Sequence, residues 1–240
     1  MQPRKHENTK KKRSFSRLRA FVVAFSAACA VAVGVIAPIH VGAGAVTGIV
    51  RTVARDRATP ATAVVYAEPI DAAATRAPRR FTLTQKNKTF QPHVLAVPLG
   101  STVDFPNNDV IYHNVFSLSG PQPFDLGLYR AGETRPRTFT TPGTYRVFCN
   151  IHPQMTAIVV VAPSAFTAVA APDGRFTLDL PPGRYRVTAL SERASPVSVE
   201  ITSTQGASAA PELTLDESAW AFAQHKNKFG GDYPAAAYPK

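Results

Sequence analysis

Short runs of alternating apolar and polar residues, broken by Gly and Pro, make up the chain between residues 46 and 161. In the segment HVLAVPLGSTVDF, Leu95 and Val97 alternate with other residues before a Gly turn, and Val103 and Phe105 do so after it. Alternation with a period of two is typical of half-buried strands, and no long amphipathic helix pattern occurs here. Seven or eight short strands at this spacing predict an all-β fold, and specifically a β-sandwich.

Three further segments extend this strand pattern. Residues 46–69 predict two strands around a polar turn. The segment PRTFTTPGTYRVFC predicts a hairpin through Pro142 and Gly143, with Tyr145 and Val147 on one face. The segment MTAIVVVAP that follows shortly afterwards predicts a fully apolar strand.

The formal net charge of +11 belongs mostly to the N-terminal segment. Of the chain's 27 basic and 16 acidic residues, eight basic and one acidic lie in residues 1–45, so the remainder carries +4. Nucleic acid is therefore not an expected partner, because the folded part has no strong basic stripe.

Residues 1–45 are predicted to be a signal peptide or a membrane anchor. A basic cluster precedes a run without Lys, Arg, Asp or Glu, and VGAGA offers a cleavage site after Ala45. The apolar run of about 20 residues is also long enough to span a bilayer, so residues 20–40 are a possible inner-membrane tether. Both alternatives place the rest of the chain in the periplasm or another exported compartment.

One short segment concentrates the residues that can ligate a metal. FCNIHPQM contains Cys149, His152 and Met155, and NNDVIYHNVFS upstream contains His113. Cys149 is the only cysteine after the leader, so it has no partner for an internal disulfide. Thiolate, thioether and imidazole donors together suit copper, whereas zinc favours a second Cys, a third His or a carboxylate over Met.

Two segments, VPLGSTVDFPNNDVIYHNV and GTYRVFCNIHPQM, resemble the cupredoxins, most closely the plastocyanin/amicyanin-like group. The resemblance covers about residues 62–161 and implies a Greek-key β-sandwich with one type 1 (blue) copper site. It also implies that Asn114 hydrogen-bonds the ligand loop. By the same resemblance, His152 is the ligand nearest solvent and the point where the electron leaves. The implied copper ligands are His113, Cys149, His152 and Met155.

A second unit is predicted after the copper unit. PDGRFTLDLPPGRYRV resembles the carboxypeptidase-regulatory-like, transthyretin-like β-sandwich, with turns at Asp173-Gly174 and Pro182-Gly183. The predicted organisation is a leader (1–45), a copper unit (46–161), a small β-sandwich (162–216) and a tail (217–240). The tail is expected to begin with a short helix at 217–224 and to end as an irregular segment with docking aromatic residues.

The position of residues 46–67 leaves an alternative. Strands of this kind also begin carboxypeptidase-regulatory-like domains, so the copper unit could be inserted between the first strands and the remainder of the second domain. The simpler arrangement, in which residues 46–67 are the first strands of the copper unit, is the one we favour from the sequence.

The expected function is that of an exported one-electron carrier acting between redox proteins by outer-sphere transfer. A copper chaperone or store is an alternative, but the chain's two methionines, Met1 and Met155, form no cluster for copper transfer. A non-redox cell-envelope binding module is another alternative. A Cys-His nucleophilic enzyme is not expected, because no suitable carboxylate or amide partner is evident and Met155 would be unexplained.

Overall fold

The structure, a computed structural model, describes residues 44–54, 60–210 and 212–234. These residues form 18 β-strands and no α-helix, which confirms the predicted all-β class. Residues 1–43 of the predicted leader lie outside the described residues. Within the described ranges, no helix has the length and apolar character needed to cross a membrane.

Strands between residues 80 and 162 form one β-sandwich, which we call the inner unit. One sheet has the strand order β6-β12-β11-β8-β9, and a second sheet, β10-β7-β3, packs across a shared core beside the β4-β5 pair. The strands are β3 (Arg80–Thr82), β4 (Thr84–Lys86), β5 (Thr89–Gln91), β6 (Val94–Pro98), β7 (Thr102–Pro106), β8 (His113–Ser117), β9 (Phe124–Tyr129), β10 (Thr134–Thr138), β11 (Gly143–Phe148) and β12 (Thr156–Ala162).

The remaining strands form a second β-sandwich, which we call the outer unit. One of its sheets joins β1 to β14, β17 and β18, the other has the order β13-β2-β15-β16, and the two enclose a separate apolar core. The strands are β1 (Gly44–Val53), β2 (Val64–Pro69), β13 (Phe166–Val169), β14 (Arg175–Leu180), β15 (Gly183–Leu190), β16 (Val197–Ser203), β17 (Ser208–Ala209) and β18 (Leu213–Asp216).

The preferred assignment of residues 46–67 to the copper unit is wrong. Strand β1 runs antiparallel to β14, and β2 lies between β13 and β15 in the outer unit. Val46, Val50 and Val65 accordingly belong to the outer core. Strand alternation specifies a buried face but not which sheet supplies the neighbours, so the sequence pattern fitted both arrangements. The inner unit is therefore inserted between β2 and β13.

The predicted hairpin through Pro142 and Gly143 is also wrong, although both of its strands exist. Strand β10 pairs with β7, whereas β11 pairs with β12 and β8, so the connection crosses from one sheet to the other. The Tyr145 hydroxyl donates a hydrogen bond to the Thr141 carbonyl at 3.0 Å within this crossing. Tyr145 and Val147 are both buried on the core face, as predicted.

The apolar character of β12 follows from burial on both faces. Val159 and Val161 point into the inner core, while Ile158 and Val160 pack with Val64 and other residues between the two units. A strand covered on both faces has no solvent side and therefore needs no alternation. The outer unit thus covers the back of this sheet at β6 and β12.

A polar contact beside this apolar junction links the two units. His93, which directly precedes β6, is 3.0 Å from the Thr156 carbonyl through Nδ1 and 3.3 Å from both Glu192 carboxylate oxygens through Nε2. The Glu192 hydrogen bond raises the pKa of His93, although burial and Arg193 oppose this shift. The same hydrogen bond lowers the pKa of Glu192.

The His93–Glu192 pair predicts a pH-dependent contribution to stability. Because the folded pKa of His93 is raised, its contribution to stability is fully present below its unfolded pKa of about 6.5. This contribution is lost as the pH rises through the folded pKa. The folded pKa of Glu192 is lowered, so its contribution to stability is present above its unfolded pKa of about 4.3. This contribution is lost as the pH falls through the folded pKa. The His93→Gln variant should therefore lose most stability near pH 5.5, by at most about 1 kcal/mol because the pair is partly exposed.

Urea unfolding of the wild type and His93→Gln at pH 5.5 and pH 8.5 measures this contribution. The difference between the two proteins should shrink at the higher pH. An equal difference at both pH values would show that the charge of His93 does not contribute.

The predicted helix at 217–224 is wrong. A turn follows β18, and the chain then continues without regular structure to residue 227. The Glu217 carboxylate is buried, accepting hydrogen bonds from the Ala61 amide and the Ser191 hydroxyl. These contacts hold the start of the tail against the outer unit, and an eight-residue helix has little stability of its own.

Candidate metal centre

Two neighbouring strands of the inner unit bring the candidate ligands together. His113 is the first residue of β8, and Cys149 directly follows the last residue of β11. These strands are antiparallel and pair through Phe116 and Phe148, so the start of one and the end of the other meet at the same edge. The connection to β12 then returns His152 and Met155 to that edge.

Three donor atoms converge at this edge. The Cys149 sulfur lies 3.7 Å from Nδ1 of His113 and 3.7 Å from Nδ1 of His152. The ligand atoms of these three residues all lie within 4.8 Å of one another. No other group of three His, Cys, Asp or Glu side chains in the described part of the chain has this geometry.

The ligand loop, residues 149–155, is closed by its own backbone. The Met155 amide donates to the His152 carbonyl at 2.9 Å, and the Cys149 amide donates to the Met155 carbonyl at 3.3 Å. Met155 and Cys149 are both fully buried in the inner core, whereas His152 is half-buried. The loop thus presents one imidazole toward solvent and keeps both sulfur-containing side chains inside.

Burial controls the protonation of the site residues. It raises the pKa of the Cys149 thiol, against the effect of the backbone N–H groups of Asn114, Ile151 and His152. It also lowers the pKa of His152, as does the neighbouring His113. A neutral imidazole is the form that ligates a metal, and a bound cation would favour the thiolate of Cys149.

Asp109 is a site residue that the sequence analysis missed. Its Oδ2 lies 2.7 Å from Nε2 of His113, on the ring side opposite Cys149. The carboxylate also accepts the amides of Asn87 and Lys88, which have positive φ angles of 54° and 53°. Burial acts to raise the pKa of Asp109, but these amides and the His113 ring outweigh it and lower the pKa. Asp109 therefore holds His113 with Nδ1 directed at the sulfur.

The role expected for Asn114 is only partly found. Its backbone N–H faces the Cys149 sulfur, but its side-chain amide donates to Asp125 at 2.7 Å rather than to the ligand loop. The buried Oδ1 of Asn114 has no hydrogen-bond partner among the described residues. Contacts to the ligand loop come instead from the tail, whose Tyr233 hydroxyl donates to the Cys149 carbonyl at 3.3 Å.

Two other histidines of the described residues lie outside this cluster. His93 is at the junction of the two units, and His225 stacks on the ring of Phe148. Neither is among the three clustered ligand residues.

The arrangement also resembles a catalytic triad, with Cys149 in the place of the nucleophile, His113 in that of the base and Asp109 in that of the orienting carboxylate. The structure thus supplies the carboxylate that was not evident in the sequence. A nucleophilic cysteine needs to be exposed and to have a lowered pKa. The Cys149 side chain is instead fully buried and its pKa is raised, so the arrangement is poorly suited to attack on a substrate.

The distances fit a single ion between the donors. Metal bonds of about 2.3 Å to sulfur and about 2.0 Å to nitrogen separate the two donor atoms by about 3.5–3.7 Å at tetrahedral to trigonal angles. Both observed sulfur-to-nitrogen distances are 3.7 Å. A thiolate with two imidazoles, beside a buried thioether, is a donor set that suits copper.

Comparisons with known proteins agree with this assignment of the inner unit. Residues 80–162 match the family model of copper binding proteins, plastocyanin/azurin family. Amicyanin-alpha of Methylorubrum extorquens is 35% identical over 75 residues, which are 30% of this chain. The match spans 63% of the length of that relative.

Copper proteins are also among the solved structures that are similar to this chain. A reduced Cu(I) form of an amicyanin variant is 27% identical, over 35% of this chain and 82% of that chain, with a TM-score of 0.33. A copper-containing nitrite reductase from Thermus scotoductus SA-01 is 31% identical, over 47% of this chain and 28% of that chain, with a TM-score of 0.33.

The matched region coincides with strands β3 to β12. Both the family match and the amicyanin relative therefore support a cupredoxin domain in the inner unit and copper as its cofactor. All strands of the outer unit lie outside the matched residues.

Proposed function

We propose that the inner unit is a type 1 copper centre that carries single electrons between redox proteins. The convergence of three donor atoms within 4.8 Å, in a core that also buries Met155, is the observation that carries this proposal. The proposed ligands are His113, Cys149, His152 and Met155.

The residues of the chain have distinct roles in this proposal. Cys149 supplies a thiolate, His113 and His152 supply Nδ1 atoms, and Met155 supplies a weak thioether bond, as the resemblance to cupredoxins implies. A bound copper ion exchanges one electron by cycling between Cu(I) and Cu(II). Burial of three of the four side chains excludes water and leaves no open position for a substrate, which favours a carrier over an enzyme.

His152 is the proposed point of electron exchange. It is half-buried, whereas the other three proposed ligands are fully buried. The partner is proposed to be a redox protein that approaches this imidazole. An exported location, periplasmic and with or without a tether through residues 20–40, remains part of the proposal because amicyanin-like carriers and the predicted leader both favour it.

The outer unit is proposed to be a carboxypeptidase-regulatory-like β-sandwich interrupted by the copper domain. Pairing of β1 with β14 and of β2 with β15 supports this insertion. Its function as a binding module for the cell envelope is the alternative role for this part of the chain.

The test is to load the purified full chain with Cu(II) and record its visible spectrum, then reduce and reoxidise it. An intense thiolate-to-copper band that disappears on reduction and returns on oxidation by a redox protein is the expected result. A colourless copper-loaded protein would exclude the carrier. Rapid loss of Cu(I) to a weak chelator without electron exchange would favour the chaperone or store.

The contact between Asp109 and His113 predicts a loss of copper affinity. Groups that hydrogen-bond a ligating histidine typically contribute a factor of about 10–100 to metal affinity. The Asp109→Ala variant should therefore bind Cu(I) about 10–100-fold more weakly in competition with a chromophoric chelator. The control is Asp179→Ala, which removes an exposed carboxylate of the outer unit. Unchanged affinity in Asp109→Ala would show that the carboxylate does not position His113.

A further inference from the structure

The C-terminal tail returns to the ligand loop. The His225 ring stacks on Phe148, with ring centroids 3.9 Å apart and 18° between the planes. Nε2 of His225 also donates to the Pro153 carbonyl at 2.7 Å. One side chain of the tail thus contacts the residues just before Cys149 and just after His152.

Two more contacts follow along the same segment, residues 225–233, which we call the strap. The Lys228 amide donates to Oδ1 of Asn150 at 2.9 Å. The Tyr233 hydroxyl donates to the Cys149 carbonyl at 3.3 Å. The strap therefore bonds to Cys149, Asn150 and Pro153, all of which lie in the ligand loop.

The strap also reaches the strand that carries the other histidine. Nζ of Lys228 lies 2.8 Å from Oδ2 of Asp125, whose Oδ1 accepts the side-chain amide of Asn114. Asn114 directly follows His113 on β8. Both chain segments that bear clustered ligand residues are thus connected to the strap.

The strap has internal order of its own. The Asn227 carboxamide oxygen accepts the amides of Phe229 and Gly231, and the Asn227 carbonyl accepts the amide of Gly230, which has a φ angle of 82°. These bonds fold residues 227–231 into a compact turn between His225 and Tyr233. The rings of His225 and Tyr233, on either side of this turn, also contact each other edge-on with centroids 5.2 Å apart.

We propose that the strap is a positioning element of the metal centre, with His225 and Tyr233 as positioning residues. It holds the ligand loop in its ligating geometry before a metal arrives. Two hydrogen bonds close the loop from within, and the strap adds three from outside together with a ring stack. A site ordered in advance loses less conformational entropy on binding and therefore binds more tightly. The copper measurements below rest on the proposed function, whereas the measurement on the metal-free protein does not.

The test uses full-chain Tyr233→Phe and His225→Ala variants. In the copper-free proteins, hydrogen exchange by NMR follows the Cys149 and Met155 amides, the two that close the loop. Loss of one hydrogen bond should speed their exchange about 5-fold in Tyr233→Phe. Loss of the stack as well as a hydrogen bond should speed it about 10-fold or more in His225→Ala.

Tyr185→Phe is the matched control, because it deletes a tyrosine hydroxyl from the core of the outer unit. The Val159 amide in β12 serves as the reference for global unfolding. Faster exchange of the two loop amides with Val159 unchanged supports the proposal. Unchanged exchange in both strap variants, or an equal acceleration at Val159, overturns it.

Copper-loaded proteins provide the second measurement. Both strap variants should release Cu(I) to a chelator about 5–10-fold faster than Tyr185→Phe, and their thiolate-to-copper band should shift. Release and spectra identical to those of the control would overturn the positioning role. If no variant and no wild-type protein binds copper, the proposed function fails, and the exchange measurement still decides whether the strap orders the loop.

Discussion

Replacing Cys149 by serine is expected to abolish the intense visible band of the copper-loaded protein completely. A serine hydroxyl remains protonated near neutral pH and cannot provide the thiolate from which the charge-transfer band arises. The substitution is nearly isosteric at a fully buried position, so the β-sandwich should be retained. Visible absorption after Cu(II) loading, with circular dichroism to verify the fold, measures the effect.

The chain provides a matched control for this substitution. Cys29 is its other cysteine and lies in the predicted leader. The Cys29→Ser variant should keep the full band. Wild-type intensity in Cys149→Ser would mean that another group generates the colour and would refute the proposed copper ligands.

The second large effect is expected in the inner core. Phe139 is fully buried and packs edge-on against Tyr145 at 4.9 Å and against Phe124 at 5.8 Å. Truncation of a buried phenylalanine to alanine leaves a cavity and costs about 3–5 kcal/mol. Phe139→Ala should lower the free energy of unfolding of the inner unit by this amount.

Urea unfolding of the copper-free protein, followed by near-ultraviolet circular dichroism of the aromatic cluster, measures this loss. Copper must be absent because a ligand that binds only the folded state adds stability of its own. Phe222→Ala is the control, since that ring is 72% exposed and its loss should change stability by about 0.5 kcal/mol or less. A loss below about 1 kcal/mol in Phe139→Ala would contradict the close packing of this cluster.

Local features of the sequence predicted much of the candidate site. Cys149, His152 and Met155 are close along the chain, and a short loop between two strands necessarily keeps them near one another. His113 is 36 residues before Cys149, and its inclusion depended on the resemblance to cupredoxins as well as on its residue type. The structure brings His113, Cys149 and His152 together, while their role as copper ligands remains the proposal tested above.

Other parts of the site could not be predicted because they depend on the path of the backbone in three dimensions. Asp109 precedes His113 by four residues, but only the local backbone path turns its carboxylate toward the imidazole. The strap meets the ligand loop across more than 70 residues of sequence, and neither His225 nor Tyr233 lies in a motif that indicates such a contact. Docking by aromatic residues of the tail was expected from their residue types, but the sequence did not indicate which surface they would contact.

By itself, the sequence determined the all-β class, the strand-forming segments and the group of sulfur and imidazole donors, because alternation and ligand spacing are local properties. Only the tertiary structure decided which strands pair. It placed β1 and β2 in the outer unit, separated β10 from β11 and brought the strap onto the ligand loop. The physical reason is that backbone hydrogen bonds between strands are the same for every sequence, so the choice of partner depends on how the buried faces pack in three dimensions.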